Sequence, residues 1–334
     1  MQYSTFAAID IGSYDVILEI FEISKKQGIR SVDKICHRME LGKDTYTLGK
    51  IRPEMEEELC RVLADFVRIM EGYRVDAYRA MASSAISEAA NSLYVLGKIR
   101  QLTGLSVTVL SNSEQRFLGY KALAAMEDNF NKVIEKGTAI LDLDGGSFQI
   151  SLFDKDALVT TQNIRMGSLR VRERLAGIQS ETEHYEEMVE ELIWNEVSSF
   201  KKMYLKDRKI ENIMLIGDVF TDSVYQNIEE KTTKIISREN FNTWYEKIIR
   251  QSPMELAVKL GIPLENASLM YPSAVIYKCL IDMMEAEHVW IPGVHMTRGI
   301  AYEYAEQMKL QKGSHNFEND ILMALSLIHI SEPT

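Results

Sequence analysis

The sequence predicts an α/β protein of two domains built on one plan, each opening on a β-hairpin. Two short stretches predict it: "AAIDIGSYDVIL" near the start and "ILDLDGGSFQIS" at residues 140–151 both run from an apolar strand through an aspartate and a Gly-Ser turn into a second apolar strand. Their aspartates, Asp10 and Asp142, stand about one domain length apart in the chain. At 334 residues the chain is long for one core and comfortable for two.

The elements follow in order. "STFAAIDIG" and "DVILEIFEI" form the first hairpin. "IRPEMEEELCRVLADFVRIMEG" is an amphipathic helix, with Pro53 near its start, acids in its first turn, and Met55, Leu59, Val62, Leu63, Phe66 and Met70 at helical spacing. "VDAYRAMA" reads as a strand, "SSAISEAANSLYVLGKIRQLTG" as one helix with a serine cap, and "LSVTVLS" as a strand leading into another helix. From "GTAILDLDGGSFQISLFDKDALVTTQNIRMG" the pattern restarts as strand, turn, strand, turn, strand. A long helix over "ETEHYEEMVEELIWNEVSSFKKMYL" and a buried strand "ENIMLIGD" come next. The expected division is 1–125, 126–305, and a helical start over 306–324. The last ten residues, "LSLIHISEPT", match the conceptual translation of a transposase sequencing adapter, so 325–334 are expected to be an assembly artefact.

Composition narrows the function. A net charge of −11 opposes general affinity for nucleic acid or anionic membrane, so an anionic ligand has to be held by local donors. No run approaches the length of a membrane span, and no signal peptide opens the chain. Cys36, Cys60 and Cys279 form no CxxC pair and read as buried thiols of a reduced, cytoplasmic protein. A Gly-Ser turn gathers backbone N–H groups into an anion-binding nest, and a carboxylate beside it suits Mg²⁺, which prefers oxygen ligands. Two such turns describe a site for a phosphoanhydride, placed in a cleft between the domains.

At this point the chain resembles a family. "AAIDIGSYDVIL", "HRMELGKDTYTLGKIRPE", "MASSAISEAAN", "VLSNSEQRFLGY" and "LDLDGGSFQI" are similar, in order, to segments of the exopolyphosphatase and guanosine pentaphosphate phosphohydrolase (Ppx/GppA) family. "RMGSLRVRERL" and "EHVWIPGVHMTRGIAYE" resemble later ones. The resemblance implies two actin-like (ribonuclease H-like) domains with an interdomain cleft, Mg²⁺ as cofactor, and in-line attack of water on polyphosphate or pppGpp. It admits a homodimer and implies neither membrane nor nucleic-acid binding. Asp10, Gly12, Ser13 and Arg38 would bind phosphate from the first half, and Gly145, Gly146 and Ser147 from the second. Asp10, Asp142 and Asp144 would serve the metal.

Departures from the family pattern concentrate in the site. Gln115 stands where the pattern has its general-base glutamate, beside Glu114, and Gln149 stands for a second glutamate. An amide orients water but accepts no proton, which removes a contribution of about 10²- to 10⁴-fold in rate. Ser87 replaces a phosphate-clamping arginine, Tyr14 and Asp15 replace an Asn-Ser pair, "TRG" (Thr297 to Gly299) stands for R-E-G, and "IGDVFTD" for a glycine-rich turn. Asp144 reads either as a turn former or as a replacement metal acid; Asp144, Asp15 or Glu114 would be the substitute base. Arg165, Arg170, Arg172 and Arg174 read as a solvated face or as a guide for a polyanion. His184 and His295 have no partner at metal spacing, and Met126 and Met254 read as core filler. Two functions follow: an exopolyphosphatase-like hydrolase, or a catalytically impaired sensor of polyphosphate or (p)ppGpp. A sugar or acid kinase of the same superfamily fits less well, because its adenosine-side glycine turn is degraded here.

Overall fold

The computed structural model describes residues 3–126, 130–176, 185–205, 208–227 and 235–311. They fall into two units: 3–126 with 294–311, and 130–293. The expected helical start over 306–324 lies mostly, and the suspected adapter translation wholly, outside the described residues. No helix among the described residues is long and apolar enough to cross a membrane.

The first unit runs β1 (Ser4–Ile11), β2 (Asp15–Ser24), β3 (Gly28–Arg38), α1 (Leu41–Leu48), α2 (Pro53–Tyr73), β4 (Ala77–Ala82), α3 (Ser84–Ser87), α4 (Ser92–Thr103), β5 (Val107–Val109) and α5 (Asn112–Met126). Its sheet has the order β3-β2-β1-β4-β5. The first three strands are an antiparallel meander, and β4 and β5 run parallel to β1. Strand β3 is absent from the sequence expectation because "GIRSVDKICHR" is mostly polar. An edge strand paired on one side and largely solvated carries a weak apolar pattern. On α2, Pro53 occupies the first turn and Leu59, Val62, Leu63, Phe66 and Met70 are buried, as their spacing requires.

The single helix expected over 83–104 is two helices, with a break at 88–91. Asn91 explains it. Its side chain pairs with the backbone of Ile51 as a peptide would, accepting from the amide at 3.0 Å and donating to the carbonyl at 2.8 Å, and it also donates to Glu56. Those bonds hold the chain out of helical continuation. The expected serine cap is missing too: Ser83 makes no side-chain cap bond, and the Ser84 hydroxyl turns to Ser13.

The second unit runs α6 (Phe130–Ile134), β6 (Thr138–Leu143), β7 (Phe148–Asp154), β8 (Ala157–Ile164), α7 (Ser168–Leu175), α8 (Tyr185–Phe200) with a π-helical turn over Lys201–Leu205, β9 (Asn212–Ile216), α9 (Val219–Asn227), β10 (Ile235–Ser237), α10 (Arg238–Ile249), α11 (Pro253–Leu260), α12 (Leu264–Met284) and β11 (His288–Trp290). Its sheet is β8-β7-β6-β9-β11-β10. Here β6, β7 and β8 form the antiparallel meander, β9 and β11 run parallel, and β10 is added at the edge. Leaving that edge strand aside, the two sheets share one order and one set of directions. The repeated hairpin therefore supplies the central strand pair of each.

Helix α13 (Met296–Gln307) corrects the expected boundary at 305. It packs in the first unit, where Tyr304 stacks on Phe6 with ring centroids 4.2 Å apart. Gly299 is what allows the approach: a Cβ there would stand 2.2 Å from the Leu118 carbonyl oxygen of α5. Thr297 donates its hydroxyl to the buried carboxylate of Glu19 on β2. Two further expectations fail. Met254 is 59% exposed, because it points outward from the first turn of α11. Of the three free thiols only Cys60 is buried; Cys36 lies exposed on edge strand β3 and Cys279 is half-buried.

Candidate active site

The first Gly-Ser turn, at the C-terminal end of β1, is held by its neighbours. Gly12 donates to the Asp15 carbonyl at 2.9 Å, and the Ser13 and Tyr14 carbonyls accept from Gly42 (2.7 Å) and Met39 (3.0 Å). The Ser13 hydroxyl, fully buried, meets Tyr46 at 2.7 Å and Ser84 at 3.0 Å, and those two meet each other at 2.9 Å, closing a triangle of hydroxyls. Outside it, Arg38 donates to Asp15 at 2.8 Å and its guanidinium lies over the Tyr14 ring at 5.5 Å. The substitutions at Tyr14 and Asp15 are thus coupled to Arg38: the ring stacks on it and the carboxylate neutralises it. Burial raises the Asp15 carboxyl above its usual range, and Arg38 opposes that shift. The Cys36 thiol between them is pushed up to about 12 by desolvation and by Asp15.

The second turn, at the end of β6, is clamped from one side by α7. The carbonyls of Asp144 and Gly145 accept from the amides of Ser168 (3.2 Å) and Arg170 (2.9 Å), and the Gly146 carbonyl accepts from Arg170 Nε at 2.8 Å. In a trans peptide the N–H points opposite to the carbonyl, so the amides of Gly146 and Ser147 point away from α7. That is the arrangement of an anion nest. Gly167 is required for the clamp, since a Cβ there would fall 2.3 Å from the Asp144 carbonyl oxygen and 2.4 Å from Ser147 N. Asp144 Oδ1 accepts from the Gly145 amide at 2.6 Å, which is turn-forming geometry.

Strand register places a row of polar side chains beside this turn. Asp142 on β6 lies opposite Gln149 on β7, which lies opposite Asn163 on β8. Directly paired residues share a sheet face, so three oxygen-bearing side chains form one row. Gln149 is 3% exposed, and no protein donor reaches its Oε1 or the Asn163 Oδ1. Next along the sheet, Gly217 directly follows β9, and a Cβ on it would come 2.6 Å from Asp142 Oδ1. Asp218 follows. Its Oδ1 accepts from the Phe220 and Thr221 amides at 3.1 Å and from the Tyr277 hydroxyl at 3.4 Å, and the fully buried Ser273 hydroxyl also serves the carboxylate. Burial pushes the Asp218 carboxyl up to about 7, more than the hydrogen bond from the Ser273 hydroxyl and the Thr221 and Phe220 amides pull it down. Burial, then the charges of Asp218 and Asp142, raise Tyr277 well above the ordinary phenol range. Sequence reading missed Gly167, Gly217 and Asp218. The signal for Gly217 and Asp218 was the "IGD" at the end of a buried strand, read there as a degraded glycine turn.

The other expected residues separate. Glu114 is committed to a capping box at the start of α5: its Oε2 accepts from the Ser111 amide at 2.8 Å and hydroxyl at 2.7 Å, and its own amide donates back to Ser111. Gln115, next to it, is 6% exposed. Ser87 bonds the Ser84 carbonyl within its own helical turn. The arginines after the second turn neither form a solvated face nor stand open to a polyanion as a set: Arg170 braces the turn, Arg172 pairs with Glu173 and Ser268, Arg174 reaches the Met166 sulfur, and only Arg165 is exposed without a partner of that kind. His295 stands at the start of α13 and helps to hold the Asp15 carboxyl down. His184 lies outside the described residues, as does the side chain of Met126.

For a divalent cation, no group of three or more His, Cys, Asp or Glu is found among the described residues. Asp142 and the buried Gln149 Oε1, paired in register, are hard oxygen donors, and Mg²⁺ characteristically takes one or two carboxylates and completes its shell with water and phosphate. The donor set fits Mg²⁺ and lacks the nitrogen and sulfur that zinc favours.

Comparison with known proteins identifies the fold and the family. The exopolyphosphatase of Cytophaga hutchinsonii superposes with a TM-score of 0.80 at 16% identity, over 93% of this chain and 100% of that one. The Ppx/GppA family member of Aquifex aeolicus superposes with a TM-score of 0.74 at 18% identity, with the same coverage. These show the two-domain actin-like fold. In sequence, a bifunctional 3-dehydroquinate synthase/phosphatase of Fusobacterium nucleatum is 21% identical over 238 residues, 67% of this chain and 34% of that protein. Exopolyphosphatase 1 of Mycobacterium leprae is 25% identical over 144 residues, 43% of this chain and 41% of that protein. The matches therefore span well under two thirds of these relatives. The model of the Ppx/GppA phosphatase family matches residues 19–308, and the chain belongs to that family.

Proposed function

We propose that this protein hydrolyses phosphoanhydride bonds of inorganic polyphosphate or pppGpp by attack of water, at a rate limited by the missing base. The observation that carries the reading is the second turn: a nest whose Gly146 and Ser147 amides face away from α7, with Asp142 at its entrance. Those amides would bind phosphoryl oxygens without side-chain charge, as a chain of net charge −11 requires. Asp142 and Gln149 would hold the cation side. A divalent cation there supplies charge neutralisation to the phosphoryl oxygens. Gln115 would orient the attacking water and take no proton from it.

A second reading has its own support. Gln115 and Gln149 are amides and Glu114 is locked in its helix cap, so three positions expected near the chemistry offer no carboxylate base. A protein built this way binds polyphosphate or (p)ppGpp and reports on it. Phosphate release from long-chain polyphosphate with Mg²⁺, comparing the wild type with Gln115→Glu, separates the two. Slow turnover in the wild type that rises on Gln115→Glu, by up to about 10²-fold, supports the hydrolase. Turnover in the mutant alone, with calorimetric binding of polyphosphate or ppGpp by the wild type, supports the sensor. Neither release nor binding by either protein overturns both.

A further inference from the structure

We infer that the Tyr46 hydroxyl holds the place of a phosphoryl oxygen at the first turn, so that this turn takes up phosphate only when Tyr46 is displaced. The inference concerns the first unit alone and stands whether or not the second turn hydrolyses anything. Three observations carry it.

The first is the geometry of the hydroxyl triangle. Tyr46 Oη lies 2.7 Å from Ser13 Oγ and 2.9 Å from Ser84 Oγ, which is where an oxygen accepting from both serines would stand. Each hydroxyl carries one hydrogen, and a ring of three contacts uses all three. A ligand oxygen therefore has to compete with Tyr46 for the serines. Ser13 is fully buried, Ser84 is 9% exposed and Tyr46 is the partly exposed member, so the tyrosine is on the solvent side of the ring.

The second is that Tyr46 does not depend on the ring for its place. Helix α1, which carries it, is fixed by the Gly42 amide on the Ser13 carbonyl (2.7 Å) and by the Thr45 hydroxyl on the Ala85 carbonyl (2.7 Å). The buried Asp44 carboxylate adds the Arg52 amide at 3.0 Å and the Arg52 guanidinium at 2.9 Å. A side chain presented from a fixed helix fills a site at small entropic cost.

The third is that the turn's other donors are engaged while a neighbouring one is idle. The Gly12 amide goes to the Asp15 carbonyl, and Arg38 to the Asp15 carboxylate. Ser83, at the end of β4 and next to Ser84, is 2% exposed, and its hydroxyl meets no protein partner. A buried hydroxyl left over beside a completed ring is what an oxyanion site leaves when a tyrosine fills it with one oxygen.

The test is binding of inorganic phosphate. Calorimetric titration, with bound phosphate per chain counted by equilibrium dialysis, is run on the wild type, Tyr46→Phe, Tyr46→Ala and Tyr46→Ala combined with Ser84→Ala. Because α1 is anchored apart from the ring, Tyr46→Ala is expected to fold, and its melting temperature checks that. If it does not fold, Tyr46→Phe decides, since it keeps the aromatic ring and loses only the oxygen. The expected result is one more phosphate per chain in Tyr46→Ala than in the wild type, the same gain at lower affinity in Tyr46→Phe, and no gain in the double variant. The wild-type count in both single variants overturns the inference, as does a gain that survives Ser84→Ala. Polyphosphate hydrolysis is not read here, so a protein that releases no phosphate sinks the hydrolase and leaves this result standing.

Discussion

The two halves use one sheet plan and spend it differently. In the first, the aspartate that ends the central strand, Asp10, is in register with Ile17 and then Cys36; in the second, Asp142 is in register with Gln149 and then Asn163. The same positions of the same meander are apolar or weakly polar in one copy and polar throughout in the other. The turns differ in parallel. Both turns are held by their carbonyls, the first by the Gly42 and Met39 amides and the second by α7, but Ser13 also spends its hydroxyl on Tyr46 and Ser84. The lesson is that repeated topology fixes where a turn sits, and the residues in register with it decide whether it carries chemistry. In this molecule the second half carries the polar row, and the first braces its turn.

Glycine substitution is the strongest way to strain that contrast. Gly167→Ala drives a Cβ into three backbone atoms at 2.3–2.4 Å, while Gly12→Ala meets one backbone oxygen at 3.0 Å. Chemical denaturation is expected to show a loss of about 3 kcal/mol or more for the former and roughly 1 kcal/mol for the latter. Equal losses would mean the two turns are held alike. Exchanging the rows is the next test. Gln149→Leu removes a buried Oε1 that no protein group satisfies and should stabilise the metal-free protein by about 1 kcal/mol while weakening cation binding. Ile17→Gln buries a polar group without a prepared partner and should cost roughly 2 kcal/mol. If both changes destabilise, the second row is satisfied in some other way.

The smallest effect concerns the Arg38 cluster. With the Cys36 thiol raised to about 12 by desolvation and by the neighbouring Asp15, almost none is thiolate at pH 8. Since the thiolate is the reactive form, alkylation of Cys36 should be slow at pH 8 and its rate should still climb above pH 10. Asp15→Asn removes the negative neighbour, lowers that value and speeds alkylation at pH 8. A rate that levels off near pH 9 would show an ordinary thiol and break this account of how Tyr14, Asp15 and Arg38 are coupled.

What the sequence made legible was whatever repeats or alternates. The duplicated hairpin marked both central strand pairs, and the spacing on α2 named its buried face. Three things escaped it for physical reasons. Strand β3 is a polar edge whose partner, not its own composition, makes it a strand. The helix break before α4 depends on Asn91 reaching Ile51, forty residues away in the chain. Helix α13 joins the first unit through Gly299 against Leu118, a fit that no local pattern announces. In the site, Asp142 and Gln149 were legible singly, and their register was not. Gly217 escaped because the acid after it, in place of a glycine, reads as damage until Gly217 is seen against Asp142. Glu114 shows the opposite failure, since a carboxylate expected to be available for catalysis turned out to cap its own helix.

The central claim is that cation-dependent chemistry belongs to the second half. Its most direct test counts Mn²⁺ bound to Asp142→Asn and to Asp10→Asn by electron paramagnetic resonance at one metal concentration. The account predicts that Asp142→Asn loses most of the bound metal and Asp10→Asn keeps it. Loss in Asp10→Asn with wild-type binding in Asp142→Asn would contradict it.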